Sequence, residues 1–182
     1  MSIKVAAVIG SIREDSTNLK VVKFMKERYA DQLDIDLVLL HDVPMFNLDL
    51  ENDPPQDAMD FKHKVRHAEA VLFAVPEYNF SMPGVLKNAI DWMSRAGLDL
   101  QGKPSFIIGS SIGVFGSLRA QMHLREVLSN PALAPQILPG NEVYIGSVQD
   151  KLNEQGEITD SATLDFLDNV VKNFVDFYNQ TV

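Results

Sequence analysis

Cysteine is absent from the 182 residues, which excludes disulfide stapling, thiolate nucleophiles and cysteine-ligated metal. Also missing is any run near the roughly 18 apolar residues that a membrane span requires. The apolar stretch at 3–9 runs straight into Ser11, Arg13, Glu14 and Asp15, so it reads as a buried strand and not as a signal peptide. Cations are scarce. Lys and Arg number 16 against 25 Asp and Glu, for a formal net charge of -9, and that mean field repels a phosphate backbone. The expectation is a cytoplasmic chain with neither nucleic acid nor membrane as partner. The average does not forbid one anion in one pocket, where oriented backbone N–H groups and a single arginine dominate the local potential.

What is present points to a full core. With 46% hydrophobic residues, a chain of this length buries about 70% of the surface its unfolded form exposes, so residues 1–182 read as one domain. Short aliphatic runs at 3–9, 34–40, 70–75, 105–111 and 142–146 are five strand candidates. Between them, helical spacing marks segments near 16–30, 57–68, 83–95, 117–128 and 161–177. Strands apolar on both faces that alternate with helices predict an α/β fold, a doubly wound five-stranded parallel sheet with helices on both faces. A ligand then belongs beyond the carboxyl ends of the strands, at the switch point. Two stretches, 42–55 and 129–141, are rich in Pro and Asn and fall outside the alternation as irregular connections.

Three loops at that edge carry chemistry. The first, GSIREDSTN at 10–18, offers Ser11, Arg13, Ser16, Thr17 and Asn18 just before a helix. Short hydroxyl and amide side chains, free helix N-terminal amides and one arginine together suit a phosphate. The same Ser16, Thr17 and Asn18 equally suit helix capping with no ligand. In the second, PEYNFSMPGVLKNAIDW at 76–92, Pro76 stops the strand, Tyr78 supplies a flat apolar face, and Asn79 can meet the edge of a heteroaromatic ring. The third, GSSIGVFG at 109–116, is a small-residue loop on which a flat ring can lie.

These loops resemble those of the NAD(P)H-dependent FMN reductases and their quinone-, azo-dye- and chromate-reducing relatives, over nearly the whole chain. The resemblance implies a flavodoxin-like domain with strand order 2-1-3-4-5. It places Ser11, Arg13, Ser16 and Asn18 on the FMN phosphate, and Pro76, Glu77, Tyr78 and Asn79 along the isoalloxazine and ribityl chain. Ser110, Ser111, Ile112 and Gly113 stand where family members often carry several glycines. It further implies an enzyme in which FMN takes hydride from NAD(P)H as co-substrate and passes two electrons to a quinone, free flavin or similar small-molecule acceptor in ping-pong order. No side chain is needed as nucleophile. A homodimer or dimer of dimers is also implied, and Val43, Met45, Phe46 and Leu48, apolar residues in an irregular segment, suit a subunit boundary.

Other residues invite functional readings that the pattern does not favour. His63 and His67 are four apart on a helix, but Lys64 stands where a metalloprotease pattern requires glutamate, and Lys62 and Arg66 suggest a solvated face. Trp92 and Met93 read as core or subunit contacts, because Leu86, Ala89 and Ile90 already define an apolar stripe. Two competing functions share the fold: a one-electron carrier, favoured by the acidity but not by Arg13 and the PEYN turn, and a flavin-binding sensor without turnover.

Overall fold

The computed structural model describes residues 2–95 and 97–182. Its strands are β1 (Ile3–Ile9), β2 (Leu33–Val38), β3 (Ala70–Ala74), β4 (Pro104–Ser110), β5 (Gln136–Ile137) and β6 (Val143–Ile145). Its helices are α1 (Thr17–Arg28), α2 (Gln56–His67), α3 (Gly84–Met93), α4 (Leu118–Leu128) and α5 (Ser161–Thr181). All strand pairs are parallel and the order is β2-β1-β3-β4-β5, as the doubly wound reading requires. The fifth position differs in detail from the single strand expected there. Gln136 and Ile137 pair with the first residues of β4, whereas Val143 to Ile145 pair with its last three. Pro139, which has no N–H for the ladder, and Gly140 at φ +67 lie where the pairing is interrupted between them.

Alternation along each strand divides the core in two. Val5, Ala7, Leu72, Phe106 and Ile108 face α1 and α5, while Ala6, Val8, Val71, Phe73 and Ile107 face α2, α3 and α4. Both layers are covered, which explains why β3 is buried at every residue. No described helix is long and apolar enough to cross a membrane.

The connection at 42–55 is irregular, as its composition predicts, except for one 3-10 turn at Leu48–Leu50. It is tied to α3 by side chains. The Pro44 carbonyl accepts from Asn88 Nδ2 at 2.9 Å and Trp92 Nε1 at 2.8 Å, and Phe46 meets the Trp92 ring edge-on at 5.1 Å. Trp92 and Met93 are therefore core residues. His63 and His67 stack at 3.8 Å, and His67 Nδ1 donates to the carbonyl of His63. Among the described residues no group of three potential ligands forms around them.

Candidate functional site

The carboxyl ends of β1, β3 and β4 lie side by side, and close backbone packing brings their loops together. Gly10 N donates to Ala74 O at 2.9 Å, and a Cβ at Gly10 would stand 2.9 Å from that oxygen and 3.0 Å from Pro76. Only glycine lets the first loop lie this close to the second. Gly109 does the same for α4, since a Cβ there would overlap Ser117 Oγ at 1.7 Å.

One concave cavity of about 160 Å³ results, lined by Ser11, Arg13, Ser16, Thr17 and Asn18 from the first loop, Pro76, Glu77 and Tyr78 from the second, and Ser110, Ser111 and Ile112 from the third. Of the twelve residues expected from sequence, Asn79 and Gly113 line the adjoining cavity instead. The bonds within the cradle show which donors remain for a ligand. Ser16 Oγ accepts from Leu19 N at 3.3 Å, the N-cap of α1, and keeps its own O–H. The amides of Thr17 and Asn18, in the first turn, have no partner within the helix. Ser11 Oγ accepts from Arg13 N at 3.2 Å and likewise keeps its proton. These hydroxyls and amides fit a phosphate monoester at the positive end of α1.

Asn18 has a further task. Its Nδ2 donates to Ser110 O at 3.1 Å and its Oδ1 accepts from Ser110 N at 2.9 Å, so the buried amide locks the first loop to the third. Its backbone N–H, and not that side-chain pair, faces the helix-end role. Arg13 is exposed and its Nη2 lies 3.2 Å from Asp15 Oδ2, with Lys20 also on Asp15. The hydrogen bond and charge of Lys20 hold the Asp15 carboxyl below its usual range. Neither Glu14 nor Asp15 is among the residues that line the cavity.

In the second loop, Tyr78 and Ser81 exchange backbone bonds of 2.9 and 3.0 Å around Asn79 and Phe80. Both central residues have positive φ, 51 and 64 degrees, the signature of a tight hairpin turn that brings Asn79 to the rim. Glu77 lines the cavity, but its Oε2 accepts from the amides of Arg119 and Ala120 at 3.0 and 3.2 Å. The carboxylate thus caps α4 and ties the second loop to the helix that follows the third.

Fold and cradle together define a flavodoxin-like α/β domain whose switch-point cavity fits a phosphate group. The model for the NADPH-dependent FMN reductase family matches residues 3–150. The chain is 37% identical over 185 residues to NADH-dependent flavin reductase subunit 2 of Lactobacillus johnsonii, covering 97% of this chain and 98% of that one. It is 34% identical over 180 residues to the quinone reductase of Escherichia coli, covering 96% and 95%. Among solved structures, the flavoenzyme NAD(P)H:(acceptor) oxidoreductase FerB of Paracoccus denitrificans matches with a TM-score of 0.89 at 35% identity over 98% of each chain. The chain belongs to the NADPH-dependent FMN reductase family. It is an enzyme, an NAD(P)H-dependent oxidoreductase that works with FMN.

Proposed function

We propose that FMN is held with its phosphate against Ser11, Arg13, Ser16 and the Thr17 and Asn18 amides, and with its ring along Pro76, Tyr78, Asn79 and Ser110 to Gly113. The single observation that carries this is the convergence of three loops, with unused donors, on one cavity at the switch point. When bound, FMN supplies a redox centre that takes up hydride and gives up two electrons. The chain's own groups bind and orient. The hydroxyls and amides fix the phosphate end, Asn18 and Glu77 keep the three loops in register, and exposed Tyr78 and Asn79 form a rim open to solvent.

Nicotinamide and acceptor share this rim and use it in turn, which gives ping-pong kinetics. The names of the relatives support quinones and flavins as the acceptor class. Titration with FMN tests the reading, with one site per chain and an oxidised-flavin absorption band expected. Folded protein that binds no FMN overturns it, and intersecting initial-rate plots reject the shared site.

The same reading places the enzyme in the cytoplasm as a homodimer or dimer of dimers. Val43 and Phe46 pack inward against the core, but Met45 and Leu48 are 75% and 62% exposed, and Ile112 and Phe115 beside the site are 74% and 73% exposed. Apolar exposure on this scale supports a subunit boundary near the ligand. Light scattering that finds a fully active monomer at micromolar concentration contradicts it.

A further inference from the structure

A second cavity opens directly beside the cradle. It holds about 520 Å³, and the two share Glu77 and Ser111 in their walls. Phe80, Val114 and Phe115 make its apolar surface, and Glu77 and Arg119 are the two charged side chains that line it. Those two charges are differently placed. The Glu77 carboxylate sits on the positive end of α4, answered by two backbone N–H groups. Arg119 occupies the first turn of the same helix, where the dipole disfavours a cation.

The Arg119 guanidinium makes no hydrogen bond to any described residue. Its nearest acidic atom is Glu77 Oε1 at 3.9 Å, too far for one. It lies instead over the Phe80 ring, 4.1 Å from the centroid. Phe80 is held there in a left-handed backbone conformation, φ 64 degrees, that is rare for a bulky side chain. A turn that served only to reverse the chain would favour glycine at that position. Strained backbone, an unfavourable helix position and a full set of unused guanidinium donors thus meet at one cavity wall.

We propose that Arg119 anchors the anionic group of a second substrate whose planar ring lies toward the neighbouring cradle. The ligand class is an aromatic or heteroaromatic compound carrying phosphate, sulfonate or carboxylate, which the guanidinium fork takes with two parallel bonds. Phe80 serves as a positioning residue that holds the guanidinium over the cavity. In a chain of net charge -9 the general field repels such a substrate, so a local cation is what admits it. The inference rests on FMN occupying the cradle with its ring reaching Asn79 and Gly113 in the wall of the adjoining cavity, which leaves the part lined by Phe80, Phe115 and Arg119 to the substrate. The anion has two possible sources, the 2′-phosphate of NADPH or an acidic acceptor.

The test compares wild type with Arg119→Gln, Arg119→Lys and Phe80→Leu in two pairs of kcat/KM values. One pair is NADPH against NADH with a neutral naphthoquinone as acceptor. The other is a naphthoquinone sulfonate against the neutral naphthoquinone with NADH as donor. In Arg119→Gln the charged-to-neutral ratio is expected to fall about tenfold or more in one pair, as the loss of charge-assisted bonds predicts. Arg119→Lys keeps part of the ratio, and Phe80→Leu, which leaves the cation in place, lowers it less. A fall in the first pair assigns the anchor to the nucleotide phosphate, and a fall in the second assigns it to the acceptor. Ratios within twofold of wild type in both pairs, for Arg119→Gln or for Phe80→Leu and Arg119→Lys where that variant does not fold, overturn the proposal. FMN titration of the same preparations separates the failures. Wild type that binds no FMN refutes the flavin reading, whereas FMN bound with unchanged ratios refutes only the anchor.

Discussion

The two ends of the sheet use charge in opposite ways. At the amino end, Lys62 is buried among the carbonyls of Trp92 and Arg95 and the carboxylate of Asp99, which also accepts from Arg66 Nε at 2.8 Å. Burial pulls the Lys62 ammonium below the ordinary lysine range while Asp99 pushes it back. Lys103 donates to the carbonyls of Arg66 and Ala68. These bonds staple the segment between α3 and β4 to α2, and every polar group named is used within the chain. At the carboxyl end, Ser11, Ser16, the first amides of α1 and Arg119 keep donors unused. The Lys62–Asp99 pair that holds the fold is enclosed and saturated, whereas the donors proposed to serve a ligand are left incomplete.

Asp99→Ala tests the enclosed end and carries the largest expected effect. It leaves Lys62 buried without its counter-ion, and urea unfolding is expected to show a loss of about 3–5 kcal/mol. A loss below about 1 kcal/mol would remove the contrast between the two ends. Arg13→Ala tests the open end. FMN affinity is expected to fall about tenfold or more, as the loss of a charge-assisted bond of about 1.5–3 kcal/mol requires, with stability changed by less than about 0.5 kcal/mol. Riboflavin, which has no phosphate, distinguishes the causes, because equal losses for both ligands contradict a phosphate contact. Ser16 belongs to both ends of the comparison. Ser16→Ala removes a cap worth about 1 kcal/mol in thermal or urea unfolding and weakens FMN binding as well.

The smallest effect concerns a pair that is neither enclosed nor open to a ligand. Asp168 on α5 takes 2.8 and 2.7 Å bonds from Arg28 and 2.8 Å from the Tyr29 hydroxyl at the end of α1, and the Arg28 bond holds its carboxyl below the usual range. A depressed carboxyl stabilises the fold above its unfolded pKa and loses that contribution as pH falls through the folded value. With both partners partly exposed, Asp168→Asn is expected to cost about 0.5–1 kcal/mol at pH 7. The difference from wild type closes as the solution is acidified below the folded pKa, and a gap that persisted there would assign the effect to packing.

Much of this is legible in the amino-acid sequence alone. β1, β3 and β4 are readable because they are buried on both faces apart from Lys4, and β2 because Asp34 and Asp36 alternate with Leu33, Ile35 and Leu37. The donor loop was readable because its short hydroxyl residues cluster directly behind Gly10. β5 is not readable, for a strand of two residues, Gln136 and Ile137, carries no period and its pairing depends wholly on β4. Glu77 was expected beside the ring, yet only the fold brings α4 within reach of its carboxylate. Arg119 is not legible as a site residue, because one arginine in an amphipathic helix looks like a solvated face. The available signal was its place in the first turn, where a cation opposes the helix dipole.

The interruption at Pro139 and Gly140 also governs how the molecule meets its own kind. An unbroken outer strand beside β4 would present a continuous row of free N–H and C=O groups to any passing chain. Here that margin consists of two paired residues and then three, with the pairing interrupted between them. At the far margin β2 sets Asp34 and Asp36, both exposed, in alternation along its length. A second copy approaching edge to edge finds too short a template on one side and like charge on the other, so concentrated solutions of the folded protein resist growth into β-fibrils.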